Sequence, residues 1–136
     1  MGNSVVALGG FALWTLVLVL SVATFRIVSD FVLKRGIALN IFKPDGSDVP
    51  GFGQRLTRAH LNCLEVLPVF AATVLIAAVA DQMSLLEPTV IYILYARVAQ
   101  SIVHVISTSL IAVLVRGAFF VVQLALLASY IWQIIM

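Results

Sequence analysis

Apolar residues in this sequence do not alternate with polar ones; they run. From about Val5 to Val28 nearly every position is apolar, and the run gives out where Arg26, Asp30, Lys34 and Arg35 appear. About 18 or more apolar residues in succession is the length a helix needs to cross a hydrocarbon layer about 30 Å thick. A second run begins near Arg55 and reaches Ala80, with Pro68 inside it, where a kink would be absorbed by neighbouring helices. From Pro88 to Met136 the only cations besides histidine are Arg97 and Arg116. These last residues, about 49 at about 1.5 Å each, exceed a single crossing, so the chain must fold back. The turn is expected between Ser107-Thr108-Ser109 and Arg116-Gly117. The pattern predicts four helices, over about 5–33, 55–80, 88–108 and 114–135. Residues 36–54 form the main loop, since Lys43 to Gly53 is dense in turn formers, and Asp81 to Pro88 is a short turn with acidic residues.

Composition turns this pattern into a fold class. The chain has 136 residues, 62% hydrophobic and 10% charged, with mean hydropathy +1.15. A soluble fold of that size has too little interior for so much apolar surface. The expected architecture is an all-α integral membrane protein, a four-helix transmembrane bundle occupying residues 1–136 as one domain. The net charge of +2 does not imply nucleic acid, because the basic residues flank apolar helices and no base-reading motif is present. Cys63 is the single cysteine, so an intrachain disulfide is impossible and a packing role is the simplest reading. The first run has no basic residues before it, so it reads as an uncleaved anchor and not as a secretory signal. Gly9, Gly10 and Ala12 form a small-residue patch that would permit close helix approach.

Charge sets the orientation. Arg26, Lys34, Arg35, Lys43, Arg55 and Arg58 cluster around the first connection and Arg116 near the third, whereas the second carries no Lys or Arg. The positive-inside rule makes the first and third connections cytoplasmic and both termini external. Tyr92, Tyr130 and Trp132 then fall toward the outer interface, where an aromatic belt is expected.

Against this apolar background one stretch stands out: Arg58-Ala-His60-Leu-Asn62-Cys63-Leu-Glu65-Val-Leu-Pro68. Arg58, Asn62 and Glu65 share one stripe of helix 2. An ionisable residue this far inside an apolar helix is a functional-site hypothesis by default. Glu65 on helix 2 and Arg97 on helix 3 each lie about 14 Å from the end at which their helix enters, so they are expected to meet near the midplane and neutralise each other. Arg58 and His104 share a second level nearer the cytoplasm, with Asn62, Gln100 and Ser101 between. The candidate site is therefore Arg58, His60, Asn62, Glu65, Arg97, Gln100 and His104. A metal centre is not expected, because His60 and His104 lack a third ligand at useful spacing.

The segment from Arg58 to Phe70 resembles the signature of the MAPEG family, the membrane-associated proteins in eicosanoid and glutathione metabolism. Phe42-Lys43-Pro44-Asp45-Gly46-Ser47-Asp48 is similar to the loop of its bacterial branch, and Tyr95-Ala-Arg97 extends the likeness over nearly the whole chain. The resemblance implies a homotrimer of four-helix protomers in a bacterial inner membrane, binding glutathione as co-substrate between subunits on the cytoplasmic side. It implies that Arg58, Asn62 and Glu65 hold the tripeptide and that Arg116 lowers its thiol pKa, making Arg116 the expected catalytic residue. Gln100 and His104 stand where family members often carry His or Tyr and Tyr, and Val66 where Asn or Tyr often follows the glutamate. Leu61, Gly117 and Phe120 depart from the prostaglandin-forming branch, which argues against a prostaglandin isomerase. The leading functional expectation is a glutathione-dependent transferase or peroxidase acting on lipophilic electrophiles from the bilayer. The alternatives are a non-enzymatic lipid- or partner-binding member and a small proton-coupled transporter using Glu65.

Overall fold

The computed structural model describes residues 2–31 and 51–136, with the side chains of all but 29–31. Four α-helices account for nearly all of them: α1 Asn3–Phe31, α2 Phe52–Val79, α3 Ile91–Ile106 and α4 Leu110–Ile135. A single 3-10 turn, Met83–Leu85, precedes α3, and there is no strand among the described residues. The all-α expectation holds. The loop residues Lys43 to Pro50, with Lys34 and Arg35, lie outside the described residues.

In lipid every backbone amide must be satisfied within the chain, which is why apolar runs of this length become helices. Helices α1, α2 and α4 are long and apolar enough to cross a membrane, and α3 is a shorter apolar helix. Hydroxyls inside the helices obey the same constraint: Thr15 donates to the Phe11 carbonyl, Thr57 to Gly53, Thr73 to Val69 and Ser101 to Arg97. Helix α2 passes through Pro68 without interruption. Thin burial, with Leu13, Leu20, Leu75, Leu114 and Val121 exposed, leaves the apolar surface that lipid or a neighbouring copy would cover.

Helices α1 and α4 each pack against both α2 and α3. The core runs through Ala7, Phe11, Cys63, Phe70, Val90, Ile93 and Leu127, with Phe11 and Phe70 edge to face at 5.5 Å. Gly10 packs closely there, since a Cβ would come within 2.8 Å of a Leu94 methyl and Leu94 would have to shift, whereas one at Gly9 would meet nothing. At one end Arg55 Nε donates to the Val105 carbonyl at 2.8 Å, placing a cation on the C-terminus of α3. At the opposite end Tyr130 and Thr89 share a hydroxyl bond of 2.6 Å. Tyr130 is thus buried, not part of an outward belt; Tyr92 and Trp132 are exposed as expected.

Three boundaries differ from the sequence reading. Helix α2 begins at Phe52, so the main loop ends sooner. Helix α3 begins at Ile91, because Met83–Leu85 and the turns to Val90 take the place of its expected first turn at Pro88. Helix α4 begins at Leu110, where the Ser109 side chain caps it by accepting from the Ala112 amide. Arg116 therefore sits about 10 Å beyond the cap of α4, deeper in the helix than the expected start near residue 114 would put it.

A carboxylate far away in sequence closes the N-terminus of α1. Glu87 Oε2 accepts from the Asn3 amide at 2.6 Å, and Oε1 accepts from the Ser4 amide at 3.0 Å and the Ser4 hydroxyl at 2.6 Å. Gly2 leaves room, as a Cβ there would lie 3.0 Å from Oε1. The Ser4 hydroxyl, then its amide, hold the Glu87 carboxyl below its ordinary value of 4.5. A depressed folded value means that the stabilisation is complete above the unfolded value and is lost as pH falls through the folded one. Glu87→Gln is therefore expected to lower the melting temperature at pH 7, with the gap to wild type closing below pH 4.5. A gap that is constant across this range in thermal scans would show that the carboxylate charge contributes nothing to the cap.

Candidate functional site

Helices α2, α3 and α4 enclose an open cleft of about 340 Å³ lined by Asn62, Glu65, Gln100, His104, Val113, Arg116, Gly117 and Phe120. That volume is near the lower end of ligand pockets, about 300–1,000 Å³. Each wall has a simple origin. On α2 the buried stripe of Leu56, Ala59, Cys63, Val66 and Phe70 faces the core, which turns Glu65 outward and Asn62 to the edge. On α3 Gln100 and His104, one turn apart, are 2% and 7% exposed. On α4 Val113, Arg116, Gly117 and Phe120 lie at the spacing of one helical face, and a Cβ on Gly117 would meet nothing within 4 Å.

Five of the eight residues expected from sequence thus share one cleft: Asn62, Glu65, Gln100, His104 and Arg116. Arg58 is exposed on α2, one turn before Asn62, and is not among the lining residues. His60 faces away, half-buried beside the Thr15 backbone of α1, with Nδ1 buried and unpartnered. Cys63 is buried, its sulfur 3.7 Å from Ser101 Oγ, as a packing residue should be.

Arg97 corrects the sequence reading. It is fully buried, but Glu65 is exposed and no ion pair joins the two; Glu65 acts on it only through space. The actual partner is Gln123 of α4, whose Oε1 accepts from Arg97 Nε at 2.9 Å. The guanidinium carbon also lies 5.4 Å from the centre of the Phe11 ring, a cation–π distance. Depth along each helix was not the obstacle; rotation was, since Arg97 points to the core and Glu65 away from it. Gln123 further donates through Nε2 to Gln100 Oε1 at 2.8 Å and to the Phe119 carbonyl at 3.1 Å. The signal that could have found it is an amide in the middle of an apolar stretch of α4, two turns beyond Arg116.

The electrostatics of the cleft are lopsided. Arg116 Nη1 and His104 Nδ1 are buried without a hydrogen-bond partner, as is Arg97 Nη2 behind them. Arg58, Arg97 and Arg116 all act through space on His104. Buried polar atoms left unpaired cost free energy unless something else pairs them. Glu65 supplies the one carboxylate, on the opposite wall. The arrangement suits a small polar molecule that carries both signs, its acidic part toward α3 and α4 and its cationic part toward Glu65.

A family model, that of the MAPEG family, matches residues 4–136. The chain belongs to the MAPEG family. No curated protein and no solved structure matches it. Membership and the three long apolar helices make this a membrane protein, connected in general terms with glutathione or eicosanoid metabolism. In this MAPEG protein Asn62 and Glu65 form one wall of the cleft, with Arg58 exposed one turn before Asn62, while Arg116 faces them from α4.

Proposed function

We propose that this MAPEG protein is a glutathione-dependent transferase or peroxidase acting on lipophilic electrophiles that reach it from the bilayer. The observation that carries the reading is the cleft itself, with Glu65 on one wall and the unpaired nitrogens of Arg116 and His104 on the other. Glutathione bears an ammonium, two carboxylates and a thiol. The ammonium fits Glu65, and guanidinium groups fit carboxylates bidentately. Asn62 offers a neutral donor and acceptor beside them. Arg116 favours thiolate over thiol, because an adjacent fixed cation lowers the free energy of the charged form. The thiolate then attacks the electrophilic carbon; a carbon–sulfur bond forms, the leaving group departs with its electron pair, and the thiol proton is released to water. With a hydroperoxide the same thiolate attacks the terminal oxygen, the O–O bond breaks and the alkoxide leaves to become the alcohol; a second glutathione thiol then displaces the sulfenic oxygen as water, giving the disulfide. Val113 and Phe120 supply an apolar wall for the lipophilic partner.

Exposure of Arg58 and Glu65 on a membrane-spanning helix supports a homotrimer. Either charge facing lipid would be costly, so a neighbouring copy closing the open side of the cleft removes the difficulty. Arg26, Arg55, Arg58 and Arg116 gather toward one end of the bundle and Asp81 and Glu87 toward the other. The arginine-rich end is the cytoplasmic one, both termini are external, and the host membrane is a bacterial inner membrane.

Calorimetric titration of the protein with glutathione tests the reading. Wild type is expected to bind, and Glu65→Gln and Arg58→Ala each to weaken binding by about tenfold or more, the loss of one charge-assisted contact. Absence of heat with wild type would remove glutathione and favour the non-enzymatic lipid- or partner-binding alternative.

A further inference from the structure

Arg97, Gln123 and Gln100 form a chain of side chains running from the core of the bundle to the cleft wall. Its polarity is determined at both ends. Arginine can only donate. Arg97 Nε donates to Gln123 at 2.9 Å, so the oxygen of that amide must face Arg97. A backbone carbonyl can only accept, and the Phe119 carbonyl lies 3.1 Å from the other end of the same amide, so that end must be the nitrogen. Gln123 is fully buried, with its oxygen engaged and its nitrogen donating to two acceptors. The second of these is Gln100 Oε1, at 2.8 Å. With its oxygen held inward, Gln100 has only Nε2 hydrogens to offer the cleft it lines.

We infer that Gln123 is a positioning residue that fixes Gln100 as a hydrogen-bond donor at the cleft, and that the ligand group set against Gln100 is an anionic oxygen or sulfur. This rests on the glutathione reading, in which that group is a carboxylate or the thiolate. A free glutamine is ambivalent, since rotating its amide exchanges donor for acceptor. Turned the other way, Gln100 would aim a partial negative charge at the anion that Arg116 attracts. The donor-only guanidinium, acting through Gln123, removes that choice, and no charge on Gln100 itself is needed. Gln123 touches no ligand; it acts through Gln100.

The test inverts the polarity and leaves the shape. In Gln123→Glu one carboxylate oxygen still accepts from Arg97 and adds an opposite charge, while the bond to the Phe119 carbonyl is lost. The other oxygen can only accept, so Gln100 must turn its nitrogen inward and its oxygen toward the cleft. In Gln123→Met the amide of Gln100 is merely released. Stability by thermal unfolding should therefore rank Gln123→Glu near or above wild type, with Gln123→Met lowest. Glutathione affinity by calorimetry should rank differently: wild type highest, Gln123→Met lower, and Gln123→Glu lowest, down about ten- to hundredfold, the loss of one charge-assisted bond. Repeating the titrations with S-methylglutathione, which has no ionisable thiol, identifies the group. An equal loss with both ligands assigns the carboxylate, and a loss confined to glutathione assigns the thiolate. Affinity that follows the stability ranking, or stays unchanged in Gln123→Glu, overturns the inference and leaves the glutathione reading standing. Wild type that binds neither ligand overturns both.

Discussion

Replacing Gln123 by methionine is expected to destabilise the bundle by about 3 kcal/mol, while replacing Glu65 by alanine changes stability by about 0.5 kcal/mol or less. Gln123 accepts from Arg97 Nε at 2.9 Å, and Arg97 is fully buried with Nη2 already unpaired. Removing that acceptor leaves a guanidinium in low dielectric with the Phe11 ring and the Cys63 side chain as its remaining neighbours. Replacing Arg97 and Gln123 together, by leucine and methionine, should cost less than the sum of the two single changes, because the double variant buries no unpaired charge. Additive losses in this cycle, measured by reversible unfolding in detergent or bilayer mimics, would show that the two side chains do not depend on each other. A large loss in Glu65→Ala would instead restore the pairing that depth alone suggested.

That contrast marks how far the sequence could be read. The helices were legible because lipid gives the backbone no alternative: runs such as Val5 to Val28 and Arg55 to Ala80 must satisfy their own amides. Their approximate depth was legible too, since rise per residue is constant. Rotation was not. A helix apolar on most of its surface does not say whether its polar stripe faces the bundle or the outside, so Glu65 and Arg97 looked like partners although they point apart. Gln123 escaped notice because one amide among Phe119 to Leu127, otherwise apolar, adds little to the apolar pattern. The start of α4 is hard to read because no charge or breaker separates Ser109 from Arg116; Ser109 caps the helix, and Arg116 projects from within it into the cleft. The grouping of Asn62, Glu65, Gln100, His104 and Arg116 did emerge from spacing combined with family resemblance. His60, on the same motif, did not join them, since it lies on a different face of α2.

Arg116→Ala should lower turnover toward a generic electrophile by up to about tenfold for each unit that the bound thiol pKa rises, while glutathione affinity falls much less. A free thiol near pKa 8.5 is mostly protonated at pH 7, and a neighbouring guanidinium stabilises the ionised form. Arg116 has an unpaired buried nitrogen on the wall opposite Glu65 and is the cation that α4 contributes to the cleft. Glu65→Gln should show the reverse division, with affinity reduced more than the rate at saturation, because the carboxylate holds the ammonium and has no part in the bond made to sulfur. Equal effects of the two substitutions on affinity and on rate would erase the distinction between holding the tripeptide and activating it.

The most direct test of glutathione activation in this cleft is the ultraviolet thiolate difference spectrum at pH 7, recorded as glutathione is added to wild type and to Arg116→Ala. A saturable thiolate absorbance in wild type that fades in Arg116→Ala is the expected result. Wild type that binds glutathione by calorimetry yet shows no thiolate absorbance would contradict it, and the protein would then be a MAPEG member that binds the tripeptide without activating it.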